Sequence, residues 1–430
     1  MLKGKKKQIR IQLMLALALL FVTVMPATHA GLARPVAQRI EAGPPDDLDQ
    51  TPTPESAPLP LRPEPTMRGK SELRITAIGD VNMNRNRIPV FPQGSDVFGS
   101  MVPFNSFVER LAPLVDGDIN FANIETVVTD RNDFNPPDAG KAFCFRSHPN
   151  AIKELLRIRF NLFGMANNHA FDFGSTGVEE TLKNFQALKA SHYIAYTGIG
   201  MNYQQASAPA ILEVNGISVG LVAIGIGSAA TASSAGVAYL GQYRPALARL
   251  RDADVDVRLL SLHDGKEGTL TPIDRQLRVA REAIRDFKVN VVLGHHPHRI
   301  QGVELYQNGV IFYSLGNGLM RGAMDIGGKK VGGLTADFGL MARINVSFDR
   351  PTAKVTLQRL EAVPIYDMQQ QPHALPISEA QHRVRTLNEL SELSRLQSDW
   401  NSSCPMPTAH QSVVLMPKEY YGYLDLGSTN

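Results

Sequence analysis

An α/β sandwich built on a mixed sheet is the fold class this sequence predicts, and two patterns carry the prediction. From Ser71 onward, short runs rich in β-branched residues alternate with amphipathic stretches of helical period, the order that lays helices over a sheet. In the second half the apolar runs 303–306, 310–313, 342–348 and 355–363 follow one another without helices between them, which suits antiparallel strands better than a simple βα repeat.

In chain order, residues 73–78 read as the first strand. Residues 104–115, with Phe107, Leu111 and Leu114 on one face, read as the helix after it, and 119–124 as the next strand. Stretches 151–156 and 176–190 look helical and flank a short buried strand at 161–165. Residues 216–225 and 255–262 are further strands; 273–287 is a helix with Leu277, Ala280 and Ile284 in register, and 289–293 is a strand. Residues 315–339 are dense in glycine and read as a mobile loop. Its Gly327-Gly328-Lys329-Lys330 is not a phosphate-binding loop, because Ala323 stands where the first glycine is needed and Lys330 where Ser or Thr should follow.

The ends of the chain read differently. Lys3, Lys5, Lys6, Lys7 and Arg10 precede an apolar run at 13–25 and the small-residue site Thr28-His29-Ala30, the layout of a secretory signal peptide over residues 1–30. An uncleaved membrane anchor is the alternative, although the run is shorter than the roughly 20 residues of a spanning helix. No cysteine follows the site, which argues against a lipoprotein. The chain is therefore expected outside the cytoplasm, in the periplasm or beyond. Residues 31–70 form a proline-rich linker, 71–376 the folded domain, and 377–430 a tail with one amphipathic helix at 379–396. Cys144 and Cys404 fit no metal or redox motif; a single disulfide and two free thiols both remain open. A formal net charge of +3, concentrated near the N-terminus, excludes a nucleic-acid surface. With 43 % hydrophobic and 20 % charged residues the composition is that of a globular protein able to bury a sizeable core.

Residues able to bind metal or move protons recur at the C-terminal ends of the expected strands, where open α/β sheets place their sites. Asp80 ends the first, and Asn123 and Glu125 end the second. Asn167, Asn168 and His169 follow the third, with Asp172 just beyond. His263 and Glu267 follow the strand ending at Leu262; His295, His296 and His298 follow the one ending at Leu293. Carboxylates, amide oxygens and imidazoles together suit Mn, Fe or Zn in a site bridging two divalent ions.

The runs Gly79-Asp80, Asn123-Ile124-Glu125, Ala166-Asn167-Asn168-His169-Ala170-Phe171-Asp172, His263-x-Gly265-x-Glu267, Gly294-His295-His296-Pro297-His298 and Tyr313-Ser314-Leu315-Gly316-Asn317 occur in one order over residues 73–320. In that order they resemble the poly-gamma-glutamate capsule biosynthesis (CapA) family. The resemblance implies a calcineurin-like metallophosphatase fold and a role with an anionic surface polymer. Carried over residue by residue, it makes Asp80, Glu125, Asn168, His263, His296 and His298 metal ligands, with Glu125 bridging and His295 the alternative to His296. It makes His169, Asp172 and Glu267 the catalytic candidates, His169 as acid or transition-state stabiliser. Three departures stand out: Asp80-Val81-Asn82 where the wider superfamily has Asp-x-His, Glu125 where it has the shorter Asp, and Asp264 and Gly268 where relatives in the family usually have aromatics.

Two readings follow. One is a metal-dependent hydrolase or transferase acting on a phosphoester or a glutamyl-type amide of the polymer, with Arg299, Arg321, Lys329 and Lys330 available to attract an anion or simply solvated. The other is a non-catalytic subunit that binds the polymer or organises a membrane-bound synthesis and export complex.

Overall fold

The structure is a computed structural model that describes residues 70–97, 99–138, 140–321, 330–331, 334–392 and 410–427. The expected signal peptide, nearly all of the proline-rich linker, Cys404 and Lys329 lie outside the described residues. Every element below belongs to one contact unit, Pro63–Asn430.

Two sheets pack face to face. The first is centred on β1 (Lys70–Asn82), β2 (Ile119–Ile124), β3 (Leu162–Gly164) and β4 (Ala195–Thr197), which lie side by side in parallel. The second starts with an antiparallel pair, β5 (Ala210–Val214) and β6 (Ile217–Gly225), and continues in parallel through β7 (Val257–His263) and β8 (Val291–His295). The hairpin β9 (Val303–Tyr306) and β10 (Gly309–Phe312) extends it, with β10 against β8. The chain then returns to the first sheet. β11 (Asn317–Met320) runs parallel to the last residues of β1, while β12 (Gly339–Asp349) and β13 (Lys354–Tyr366) build the antiparallel side of that sheet, β12 against the earlier part of β1. Mixed pairing within each sheet is what the helix-free second half of the sequence predicts.

Helices cover both outer faces. α1 (Pro149–Arg157) and α2 (Gly174–Ser191) pack on the first sheet, where Ile152, Leu155, Val178 and Phe185 join Ile78, Ala122 and Phe163. α3 (Tyr243–Asp252) and α4 (Asp274–Phe287) cover the second, with Leu247, Leu277 and Ile284 against Val222, Leu260 and Val292. Between the sheets lie Leu73, Ile75, Phe121, Val219, Leu221, Leu259, Val291 and Leu293. Strand residues pointing either way thus meet apolar neighbours, which is why these strands read as unbroken apolar runs rather than alternating ones.

Three expectations are corrected. Residues 104–115 form two 3-10 turns, Phe104–Phe107 and Ala112–Leu114, instead of one α-helix. Pro113 lacks the N–H that a continuing helix would use, yet Phe107, Leu111 and Leu114 are buried as their spacing predicts. The glycine-dense stretch holds β11 and a short ladder between residues 330–331 and 334–335. The tail is more structured than its composition suggests. After α5 (Ile377–Leu390), β14 (His410–Ser412) pairs with β9, and the hairpin β15 (Met416–Lys418) and β16 (Tyr421–Asp425) closes the first sheet against β13. Among the described residues no helix is long and apolar enough to cross a membrane.

Candidate metal centre

The parallel strands of both sheets deliver their C-terminal ends to one place. Gly79 permits the first approach: a Cβ there would lie 1.8 Å from the carbonyl oxygen of Gly316, so only glycine fits beside that backbone. The next residue, Asp80, is fully buried. Its Oδ1 accepts from Asn123 Nδ2 at 2.8 Å and its Oδ2 from the backbone N–H of His296 at 3.3 Å. His295 Nδ1 stands 3.3 Å from Asp80 Oδ1, and His298 Nδ1 3.4 Å from Oδ2.

Glu125 is fixed by its own backbone, which donates to Val81 O at 2.8 Å. Its buried carboxylate has Oε1 3.4 Å from His263 Nε2 and Oε2 3.9 Å from His298 Nδ1, and neither oxygen has a hydrogen-bond partner. Asn167 ties the turn after β3 to the end of β2, donating to Ile124 O while its Oδ1 accepts from His169 N. That turn presents Asn168, whose Oδ1 lies 2.7 Å from His263 Nε2. His263 and His295 are neighbours in the β7–β8 ladder. His296 and His298 follow with φ of 92° and 53°, left-handed conformations rare for such residues and concentrated at functional sites.

The six residues expected as ligands therefore meet in one cluster, Asp80, Glu125, His263 and His296 buried and Asn168 and His298 half-buried. Donor atoms of Glu125, His263 and His296 lie within 4.8 Å of one another, as do those of Asp80, Glu125 and His298, so the two groups share Glu125. His295, the alternative to His296, sits behind Asp80 with its ring 6.4 Å from that of His263 and belongs to neither group.

Burial and mutual proximity shift the titratable groups of the cluster in opposite directions. Burial opposes ionisation of Asp80, but the imidazoles of His295 and His298 and the fields of His263 and His295 outweigh it and hold its pKa well below the usual carboxylate range. Burial, reinforced by the negative charge of Asp80, pushes Glu125 well above its usual value. Burial also lowers His263 and His296, whereas for His298 it is overcome by Glu125 and Asp80, which raise that imidazole to about 10. A fully buried carboxylate with two unpartnered oxygens, facing a His296 whose Nδ1 is also unpartnered, is costly unless a cation answers it. Two divalent ions sharing Glu125 fit this donor set.

The departure at Asn82 has a structural account. Its Nδ2 donates to Asn84 O and Arg321 O, and its Oδ1 accepts from Asn84 N and Ser147 Oγ. Both ends of the amide are consumed by the protein, so Asn82 offers nothing to an ion.

Of the catalytic candidates, His169 and Asp172 are buried and joined, Nδ1 to Oδ2, at 2.7 Å. Glu267 lies on an exposed turn, where its charge adds to the upward shift of Glu125. Arg299 and Arg321 are buried and spend their guanidinium groups on Ala336 O and Gln369 O, so they do not form a solvated basic patch. Two residues that the sequence reading passed over reach this region. Lys141 Nζ binds Asp172, and the Phe145 ring lies 4.5 Å from that of His169; both come from an irregular segment with no periodic signal.

Comparison with known proteins agrees with the motif order. The sequence pattern of the bacterial capsule synthesis protein PGA_cap matches residues 74–321. Relatives include the capsule biosynthesis protein CapA of Bacillus anthracis, 27 % identical over 261 residues covering 58 % of this chain and 60 % of that protein. The PGA biosynthesis protein CapA of Bacillus subtilis is 29 % identical over 253 residues, 57 % of this chain and 62 % of that protein. The chain thus spans about three fifths of the length of these relatives. Among solved structures, a phosphatase from Mycoplasma pneumoniae (12 % identity, TM-score 0.40, 69 % of this chain and 94 % of that one) and the calcineurin-like phosphoesterase YfkN of Bacillus subtilis (10 % identity, TM-score 0.39, 76 % and 99 %) overlap only loosely and carry no conclusion about the reaction. The pattern that matches takes in all of Asp80, Glu125, Asn168, His263, His296 and His298, and on it the chain belongs to the bacterial capsule synthesis protein family.

Proposed function

We propose that this chain is an exported, metal-dependent hydrolase or transferase in the synthesis or processing of a poly-gamma-glutamate-like anionic capsule polymer. The observation that carries the reading is the buried carboxylate of Glu125, without a hydrogen-bond partner, between the imidazoles of His263 and His296 on one side and Asp80 with His298 on the other. A polymer-binding surface has no use for such a costly arrangement.

In this reading Asp80, Glu125 and His298 hold one ion, and Glu125, Asn168, His263 and His296 the other. Bound divalent metal of the Mn, Fe or Zn class would supply Lewis acidity and a nucleophilic water at neutral pH. The remaining work falls to the chain's own side chains. Asn123 orients the Asp80 carboxylate through its 2.8 Å hydrogen bond. Asp172 holds His169 at Nδ1, so that in the doubly protonated ring Nε2 would be the atom that hands its proton to the leaving group. Burial of Asp80, Glu125, His263 and His295 keeps bulk water from competing for the donor atoms.

A second reading, a polymer-binding or scaffold subunit of a membrane synthesis complex, is favoured by Asn82 alone: with both ends of its amide consumed, one ion has fewer protein ligands than the other. Metal analysis of the purified chain separates the two. The enzyme reading expects bound Mn, Fe or Zn, and hydrolysis of a nitrophenyl phosphoester or of poly-gamma-glutamate that is lost with Glu125→Ala. Metal-free protein with no thermal response to added Mn, Fe or Zn gives the scaffold reading the field.

A further inference from the structure

A lysine with no part in the scheme above is bonded to two of its components at once. Lys141 Nζ donates to Asp172 Oδ1 at 2.5 Å and to the backbone oxygen of Asn168 at 2.8 Å. The Asp172 side chain has no solvent exposure. Its other oxygen, Oδ2, takes the backbone N–H of Phe145 at 2.6 Å and His169 Nδ1 at 2.7 Å. The Phe145 ring lies tilted over the His169 imidazole with centroids 4.5 Å apart. Residues 141–145 thus constrain His169 from two sides, through Asp172 and through the ring. The same ammonium pins the carbonyl of Asn168, whose side-chain oxygen reaches His263.

The energetics explain why a cation stands here. A fully buried carboxylate that bonds only to a backbone N–H and an imidazole lacks a full counter-charge, and Lys141, whose side chain is half-buried, supplies one from the solvent side. Without the ammonium, the Asp172 carboxylate loses the bond that holds it in place as the partner of His169 Nδ1. Such an orienting partner is what gives a catalytic imidazole its tautomer.

We propose that Lys141 is a positioning residue, which through Asp172 fixes the tautomer and orientation of His169 and through the Asn168 carbonyl fixes the amide beside His263. Its consequence for turnover rests on the hydrolase reading; its consequence for the imidazole does not.

The test compares Lys141→Met and Lys141→Arg in the full chain, by nitrogen NMR of the His169 ring and by Mn-supported hydrolysis of bis(p-nitrophenyl) phosphate. Wild-type protein should show a hydrogen-bonded Nδ1–H on His169, identified by its loss in His169→Gln. Lys141→Met should broaden or abolish that signal and lower kcat about 10²-fold, the scale of a small misplacement, with KM little changed. Lys141→Arg should recover part of both. If Lys141→Met melts well below wild type, the partial loss in Lys141→Arg carries the test. An unaltered imidazole signal in folded Lys141→Met, or in Lys141→Arg where Lys141→Met does not fold, overturns the proposal, as does a rise in KM at constant kcat, which would make Lys141 a substrate contact. If wild-type protein hydrolyses nothing while the imidazole responds, the positioning role stands and the hydrolase reading falls.

Discussion

Asn123 donates to Asp80 across 2.8 Å, linking the ends of two parallel strands through one amide hydrogen bond. The same Nδ2 lies 3.2 Å from His263 Nδ1, so one side chain touches a member of each ion-binding group. Replacing Asn123 by Ala should leave the fold intact but weaken metal binding roughly 10–100-fold, the usual worth of an orienting partner. Calorimetric titration with Mn reads this directly, and an unchanged affinity would show that Asp80 needs no such support.

Glu125→Gln should separate folding from metal binding. In metal-free protein burial already disfavours the charged form of Glu125, so the change should leave stability within about 1 kcal/mol of wild type. With metal present, the variant should lose the extra stability that a bound ligand confers. Melts with chelator and with Mn should therefore differ: the variant close to wild type in the first, below it in the second.

His169→Ala should behave unlike any ligand change. As the proton donor it is worth about 10²–10⁴ in turnover, and bound metal should stay at the wild-type level. Loss of metal in this variant would reassign His169 to the ion-holding set.

Gly79→Ala places a methyl group where the Gly316 carbonyl oxygen already sits, and Gly294→Ala does the same against the Tyr313 carbonyl at 2.0 Å. Each should cost about 1–3 kcal/mol or more, the range for overpacking. Because these glycines immediately precede Asp80 and His295, each change should also reduce metal content, measured on whatever protein folds.

Protein recovered from outside the cytoplasm should begin just after Ala30, as the basic, apolar and small-residue segments of the N-terminus predict. N-terminal sequencing checks this, and a chain still starting at Met1 would make the segment an anchor.

Much of this site was legible because each of its residues sits at the end of a strand whose apolar run is unmistakable. β2 over Ile119–Ile124 and β9 over Val303–Tyr306 match their sequence patterns residue for residue. What escaped detection lacked a period. α3 carries Arg244, Arg249 and Arg251 and a proline in its first turn, a pattern that does not announce a buried face, although Leu247 and Leu250 supply one. Lys141 lies in a segment where nothing distinguishes an anchored lysine from a solvated one. The fate of Asn82 depended on carbonyls of Asn84 and Arg321, and the second is distant in sequence. β14 to β16 are short edge strands whose pairing is decided by partners rather than by their own composition.

The placement of β1 also bears on how the chain is made. Lys70 to Ala77 pair on one side with β12, the partner of Lys70 being Asp349, so the first of the described strands waits for almost the whole domain before that ladder can form. Pairing between segments so far apart is slow, because the loop between them must be closed before any contact repays it. A nascent chain built this way cannot close the β1–β12 side of its first sheet until Asp349 has been made, although β1 can meet β2 far earlier.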